Sequence, residues 1–130
     1  MVGLGALFPG APDVRAFWDN IQSGRDCIGE LPDSRLDPTF VGSPSRVDRI
    51  PHRRAGVIGP SVRFAAVQHG IMPVAARGAE PDQLLALSVA SAALRHAGLL
   101  DADFDRSRAG VILGRGGYLT PGLVRLNRKV

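Results

Sequence analysis

The sequence predicts an α/β fold, because short apolar runs of strand length alternate with longer segments of helical periodicity. The strand-like runs are residues 2–7 and 109–114, and glycines lie within or beside both of them. The helix-like segments are residues 14–21 and 82–97. Alternation of this kind is typical of helices packed against a sheet.

The composition is that of an ordinary globular chain. Its 130 residues are 45% hydrophobic and 22% charged, which is enough to bury one modest core. The net charge is +4, but the arginines are scattered among acids and aromatic residues are few, so no nucleic-acid partner is expected. The single cysteine excludes an internal disulfide, and no apolar span reaches the length of a membrane helix. We therefore expect no membrane association and a cytoplasmic location.

In the first half of the chain, residues 2–7 predict a short buried strand that runs into a Phe-Pro-Gly turn at residues 8–10. A helix should follow, with Asp13 at its start and Gly24 just after its end. Its apolar side chains fall on one stripe: Val14, Phe17, Trp18 and Ile21. This spacing predicts that the stripe, Trp18 included, is buried against the sheet.

Prolines, glycines and charges occur too often in residues 25–62 for long elements, so this segment predicts an ordered, loop-rich insertion. A turn at residues 70–73 then leads to Glu80 and Pro81, which suit the start of a helix. An almost unbroken apolar run follows and ends at Gly98. We expect this helix to be buried.

In the last part of the chain, residues 109–114 predict an interior strand. A glycine-rich turn at residues 115–117 follows. Thr120 can then cap, and Pro121 can begin, a helix that continues to the last residue of the sequence.

Several short motifs follow one another in a fixed order. They are Val2-Gly3-Leu4-Gly5, Phe17-Trp18-Asp19-Asn20-Ile21, Gly24-Arg25-Asp26, Glu30-Leu31-Pro32, Gly70-Ile71-Met72-Pro73 and Gly110-Val111-Ile112-Leu113-Gly114. In order and spacing, and over nearly the whole chain, they resemble the start of β-ketoacyl synthase domains of polyketide and polyunsaturated-fatty-acid synthases. Ala55 and Val57 depart from the family's pattern. Leu84 and Ser88, where Arg and Glu are commoner, favour the polyunsaturated-fatty-acid-synthase and related multidomain branch.

The resemblance implies that residues 1–130 are the N-terminal portion of a thiolase-like fold, incomplete in this chain. Enzymes of this family join an acyl group to a malonyl-derived unit on an acyl carrier protein, using a cysteine thiolate, two histidines and oxyanion donors. The family's order places these groups beyond Val130, so the segment should hold no catalytic residue and be inactive alone. The implied partners are the remaining half of the domain, a carrier protein bearing phosphopantetheine, and a second copy in a homodimer. No cofactor or metal is expected to bind directly.

The residues that could carry chemistry within the chain favour structural roles. Cys27 lacks the tight turn and following helix of a nucleophile, so we interpret it as a half-buried structural thiol. The three histidines are isolated and have no metal-ligand spacing. His96 should interact with the end of its helix, and His69 should be a turn or surface residue.

The loop at residues 114–121 has two interpretations. Arg115 and the helix start after it could hold an anion. In the family, the turn after the corresponding strand lies at the floor of the acyl pocket, which makes Gly116, Gly117 and Tyr118 candidate pocket residues. A tight turn that needs glycine is an equally good explanation.

Three hypotheses follow for function. The first is the N-terminal part of a β-ketoacyl synthase. The second is a non-catalytic segment of the same kind that serves as an interaction or scaffold piece. The third is a small anion-binding α/β module that uses residues 115–120.

Overall fold

The computed structural model describes residues 1–59 and 62–116. The chain divides into two compact units. The hairpin unit is Ala6–Arg63, and the helix unit is Met1–Gly5 together with the described residues from Phe64 onward. Among the described residues, the buried hydrophobic side chains are Ala11 in the hairpin unit and Ala66 in the helix unit. Each unit therefore has a thin core with larger apolar side chains around it that stay partly exposed.

The hairpin unit contains helix α1, Val14–Gln22, and both of its ends follow from residues that the sequence supplies locally. Asp13 accepts the backbone N–H of Ala16 at 2.8 Å, which pairs a donor that the first turn leaves open. Gly24 has a φ of +61°, and the N–H of Arg25 bonds to the carbonyl of Asn20 at 2.9 Å, as in a Schellman cap. The predicted helix and its two ends are confirmed.

The predicted burial of Trp18 is wrong, because its side chain is 56% exposed. The ring of Phe17 makes the packing contact instead, stacked on Phe8 with centroids 4.3 Å apart. Consecutive helical positions differ by about 100° around the axis, so a contact centred on Phe17 leaves Trp18 at its side. The sheet that was expected to cover Trp18 does not form among the described residues.

Two short strands form the sheet of this unit. Strand β1, Ile28–Glu30, pairs with strand β2, Arg54–Gly56, in antiparallel register, with Glu30 opposite Arg54. The chain between them includes a 3₁₀ helix, Pro38–Phe40, and otherwise consists largely of turns and loops. The assignment of residues 25–62 as an insertion within one domain stays a prediction.

The helix unit contains helix α2, Pro73–Gly78, and helix α3, Pro81–His96, preceded by a 3₁₀ turn at Ala66–His69. A further 3₁₀ turn is Arg106–Arg108. The C-terminal end of α3 is another Schellman cap, in which Gly98 has a φ of +70° and the N–H of Leu99 bonds to the carbonyl of Leu94 at 2.8 Å. The predicted helix and its glycine end are confirmed.

The predicted strand at residues 2–7 does not form, and α3 is half-buried rather than buried. Gly3 and Gly5 lie directly on the backbone of α3, beside Ala93 and Val89. The N–H of Leu4 donates to Nδ1 of His96 at 2.9 Å. The segment is thus held by a helix rather than by a neighbouring strand. A stripe of α3 stays exposed, at Gln83, Leu87, Ala90 and Leu94.

The prediction of an interior strand at residues 109–114 is also wrong, because no strand forms there in the structure. Val111, Ile112 and Leu113 are 84%, 99% and 71% exposed. A strand exists only where a second backbone takes up its N–H and C=O groups, and no partner strand lies beside this segment in the described chain.

In residues 1–59 and 62–116, no helix has the length and apolar character needed to span a bilayer.

Candidate functional site

The predicted pocket residues lie at the end of the described chain. Gly116 is exposed and follows the irregular segment at residues 109–114. Gly117 and Tyr118 lie outside the described residues. Their assignment to a substrate pocket therefore stays a prediction.

The residue before Gly116 has a defined partner. Nε of Arg115 lies 2.7 Å from Oδ2 of Asp82, in the first turn of α3. The other carboxylate oxygen, Oδ1, accepts the backbone N–H of Gln83 at 3.0 Å. The Asp82 carboxylate thus links the start of α3 to the side chain of Arg115. No local pattern in the sequence indicates this pair, because the two residues are far apart along the chain.

This ion pair bears on the predicted anion site. An arginine binds a phosphate through the same planar set of N–H donors that it uses for a carboxylate. In the structure, Arg115 already faces a carboxylate of its own unit. An incoming anion would have to compete with Asp82 and would meet its negative charge, which weighs against the anion-binding hypothesis.

Cys27 lies between α1 and β1 and is half-buried. Its Sγ is 4.0 Å from the carbonyl oxygen of Arg25. The thiol also fills the space beside Gly10, where an added Cβ would lie 2.7 Å from Sγ. His52, the histidine of the same unit, makes no hydrogen bond to the thiol among the described residues. These contacts agree with a structural thiol and supply no base for a nucleophile.

An open cavity of about 230 Å³ adjoins Cys27. It is lined mainly by apolar side chains, including those of Phe8, Phe17, Ile21 and Ile28. The cavity gives the thiol some access to solvent. It holds no arrangement of acid, base and nucleophile that would support covalent chemistry.

Asp26, next to Cys27, organises the start of β1. Its carboxylate accepts the N–H of Ile28 at 2.8 Å and a hydrogen bond from the guanidinium of Arg54 at 2.8 Å. Both hydrogen bonds lower the pKa of Asp26 below the 3.8 of an unperturbed aspartate, and the one from the Ile28 N–H has the larger effect. This carboxylate connects the residues just before β1 to Arg54 of β2.

Two histidines of the helix unit have structural contacts that the sequence did not predict. His69 stacks on Phe64 with centroids 4.9 Å apart, and its Nδ1 lies 3.3 Å from the hydroxyl of Ser91 on α3. His96 accepts the N–H of Leu4, so its Nδ1 is unprotonated in this arrangement. Within the described residues, no group of three or more potential ligands could hold a metal ion.

Comparison with a protein-family model gives a match over the whole chain. Residues 1–130 match the model described as "Beta-ketoacyl synthase, N-terminal domain".

Known proteins similar to the chain are large synthases. Polyketide synthase PksN of Bacillus subtilis (strain 168) is 33% identical over 118 residues, which are 89% of this chain and 2% of that protein. One of the subunits of the polyunsaturated fatty acid synthase of Thraustochytrium sp. is 30% identical over 119 residues, which are 90% of this chain and 4% of that protein. The chain therefore spans only a few per cent of the length of these relatives.

A solved structure is also similar. The ketosynthase from module 6 of the bacillaene synthase of Bacillus subtilis 168 has 27% sequence identity to the chain and a TM-score of 0.59. The similarity covers 72% of this chain and 15% of that one. The predicted fold class is confirmed by this likeness, even though two of the predicted strands are not formed.

Proposed function

This chain belongs to the β-ketoacyl synthase family and matches the N-terminal domain of that family, and we propose that it is part of a ketosynthase. The complete ketosynthase would condense an acyl thioester with a malonyl-derived unit on an acyl carrier protein. The observation that carries the proposal is the family match along all 130 residues. The likeness to a ketosynthase structure supports it, because fold and family then agree.

The proposed role of this segment is to support the chemistry rather than perform it. Condensation needs a thiolate that accepts the acyl group, histidines that assist decarboxylation, and donors for the oxyanion. The described residues offer one thiol, Cys27, whose contacts are a backbone carbonyl and a glycine. We therefore place the nucleophile and its histidines elsewhere in the complete domain, and expect the 130 residues alone not to condense.

The substrates and partners follow from the same proposal. Gly116, Gly117 and Tyr118 would form part of the floor of the acyl pocket, the two glycines leaving room for the chain and the tyrosine shaping a wall. The acyl and malonyl groups would arrive as thioesters on the phosphopantetheine of a carrier protein. The complete domain would work as a homodimer in the cytoplasm.

Helix α3 has Leu84 and Ser88 at the two positions where Arg and Glu are commoner in the family. Residues four apart lie on one helix face, where Arg and Glu could pair. Here the Ser88 hydroxyl instead bonds to the carbonyl of Leu84 at 3.1 Å. Neither of these two positions carries a charge, and the Ser88 hydroxyl finds its hydrogen-bond acceptor within the helix.

The alternative is a non-catalytic segment of the same family that acts as an interaction or scaffold piece. The two functions are separated by one assay. The ketosynthase domain that contains this segment is purified, supplied with acyl and malonyl groups on a carrier protein, and the carrier is analysed by intact-mass spectrometry. The ketosynthase function predicts a 3-oxoacyl carrier, whereas carrier binding without any such product would favour the scaffold.

A further inference from the structure

We propose that His96 is a pH-sensitive latch for the start of the chain: its neutral ring holds Leu4 on α3, and protonation of Nδ1 releases residues 1–5 from the helix. The contact that carries the proposal is the hydrogen bond from the N–H of Leu4 to Nδ1 of His96, at 2.9 Å. The inference concerns the conformation of this segment and does not depend on the proposed function.

The donor fixes the protonation state of the ring. The Leu4 N–H can only donate, so Nδ1 must offer its lone pair, and the neutral ring carries its hydrogen on Nε2. An imidazolium carries a hydrogen on both nitrogens, so turning the ring would bring no second acceptor to Leu4. A proton that Nδ1 takes up from water therefore replaces the hydrogen bond, and the Leu4 N–H must then bond to water. Histidine is the side chain that ordinarily changes charge between about pH 5 and pH 8, so the latch should open within that range.

The N-terminal segment has little else to hold it on α3. Among the described residues, no further hydrogen bond joins residues 1–5 to the helix. The two glycines of the segment lie on the helix backbone, but Val2 and Leu4 are 81% and 42% exposed. Because the segment buries little apolar side-chain surface, the hydrogen bond to His96 is a substantial part of what fixes it.

The charged groups near His96 do not block protonation. Helix α3 contributes Arg95, the loop after it contributes Asp101 and Asp103, and the N-terminal segment brings only the amino group of Met1. Within the described residues, no carboxylate forms an ion pair with the His96 ring. The residue is exposed to water, and the C-terminal end of a helix favours a positive charge. The charged ring is therefore accessible at this position.

His69 provides a contrast within the same unit. Its Nδ1 lies 3.3 Å from the hydroxyl of Ser91. A hydroxyl can donate or accept, so Ser91 can donate to the neutral ring and accept from the charged one after its hydrogen rotates. The N–H of Leu4 has no such freedom. We therefore expect the contact of His69 to persist in acid and the contact of His96 to break.

The test measures hydrogen–deuterium exchange in the complete ketosynthase domain at about pH 7.5 and about pH 5.5, on either side of the usual histidine range. Rates are corrected for the intrinsic effect of pH on amide exchange. The amide of Leu4 should exchange about threefold to tenfold faster at the lower pH, which is the factor that one ordinary hydrogen bond supplies. His96→Ala should exchange fast at both pH values, because it offers no acceptor. His69→Gln is the matched control, and it should keep the wild-type pH dependence.

Three results would overturn the inference: corrected exchange at Leu4 that does not change with pH in wild type, a pH dependence that survives in His96→Ala, and a pH dependence that is lost in His69→Gln. Residues 84–92, in the middle of α3, report general loosening in acid. Their corrected exchange should stay constant, and a parallel acceleration there would contradict a local latch. Wild type is compared with itself at two pH values, so the first result and this comparison decide the question even where a variant fails to fold.

Discussion

Gly5 lies so close to the carbonyl oxygen of Val89 on α3 that a Cβ at this position would overlap it. The same Cβ would lie 2.9 Å from the backbone nitrogen of Ala93. Both obstacles are backbone atoms of a regular helix, which cannot move aside locally. Glycine is therefore required here by close approach rather than by an unusual φ angle.

The first prediction is that Gly5→Ala destabilises the helix unit by about 1–3 kcal/mol, because the N-terminal segment must lift away from α3. Chemical denaturation followed by circular dichroism measures the change. Gly78→Ala is the matched control, since a Cβ at Gly78 meets nothing within 4 Å. Equal stabilities of the two variants would contradict the close packing of residues 3–5 on the helix.

The second prediction compares two neighbouring aromatic residues of α1. Phe17 stacks on Phe8, whereas Trp18 is 56% exposed. In the 130-residue chain, Phe17→Ala should cost about 2 kcal/mol, roughly half of the cost in a full core. Trp18→Ala should stay within about 1 kcal/mol of wild type.

Fluorescence gives a direct check, because Trp18 is the one tryptophan of the sequence. Its emission should lie at the wavelength of a hydrated indole and be quenched readily by acrylamide. A blue-shifted emission that resists quenching would show that Trp18 is covered after all, as the spacing of apolar residues in α1 predicts.

The features that the sequence predicted well depend on residues close together in the chain. Asp13 and Gly24 define the ends of α1, and Gly98 defines the end of α3, through hydrogen bonds that span only a few residues. Side-chain caps and left-handed glycines act locally, so these ends could be predicted without knowledge of the rest of the fold.

The features that were missed require a partner from elsewhere in the chain. Residues 2–7 and 109–114 have strand-like composition, but a strand needs a second backbone, and the first of these segments lies on a helix instead. The pair of Asp82 and Arg115 likewise joins two distant segments. The sequence around either residue does not indicate the other. From the sequence alone, Arg115 could therefore be predicted only as a ligand for an external anion.

The third prediction concerns acid stability of the hairpin unit. The pKa of Asp26 in the folded chain is below the unperturbed 3.8, because its carboxylate accepts hydrogen bonds from Ile28 and Arg54. A lowered folded-state pKa means that the stabilisation is present above the unfolded value and is lost as the pH falls through the folded one. Melting temperature should therefore depend on Asp26 at pH 7 and progressively less below about pH 4.

The measurement is a series of thermal melts of wild type, Asp26→Asn and Asp19→Asn between pH 7 and pH 2. Asp19 is the control because its carboxylate accepts no hydrogen bond among the described residues. Asp26→Asn should lower the melting temperature at pH 7, and its curve should approach that of wild type in acid. A constant difference between the two curves at every pH would show that ionisation of Asp26 does not contribute.

The last prediction tests where the nucleophile lies. Cys27 has a backbone carbonyl and Gly10 as neighbours and no hydrogen-bonded histidine within its own described unit. An acyl transfer needs a base or an electropositive site that activates the thiol. The 130-residue chain incubated with an acyl-CoA should therefore show no stoichiometric adduct by intact-mass spectrometry.

In the complete domain, Cys27→Ser should keep condensation within a few-fold of wild type. Substitution of the nucleophilic cysteine that the family implies elsewhere in that domain should abolish it. Acylation of Cys27, or loss of condensation in a folded Cys27→Ser enzyme, would move the active site into the hairpin unit, because its thiol would then be the acyl acceptor.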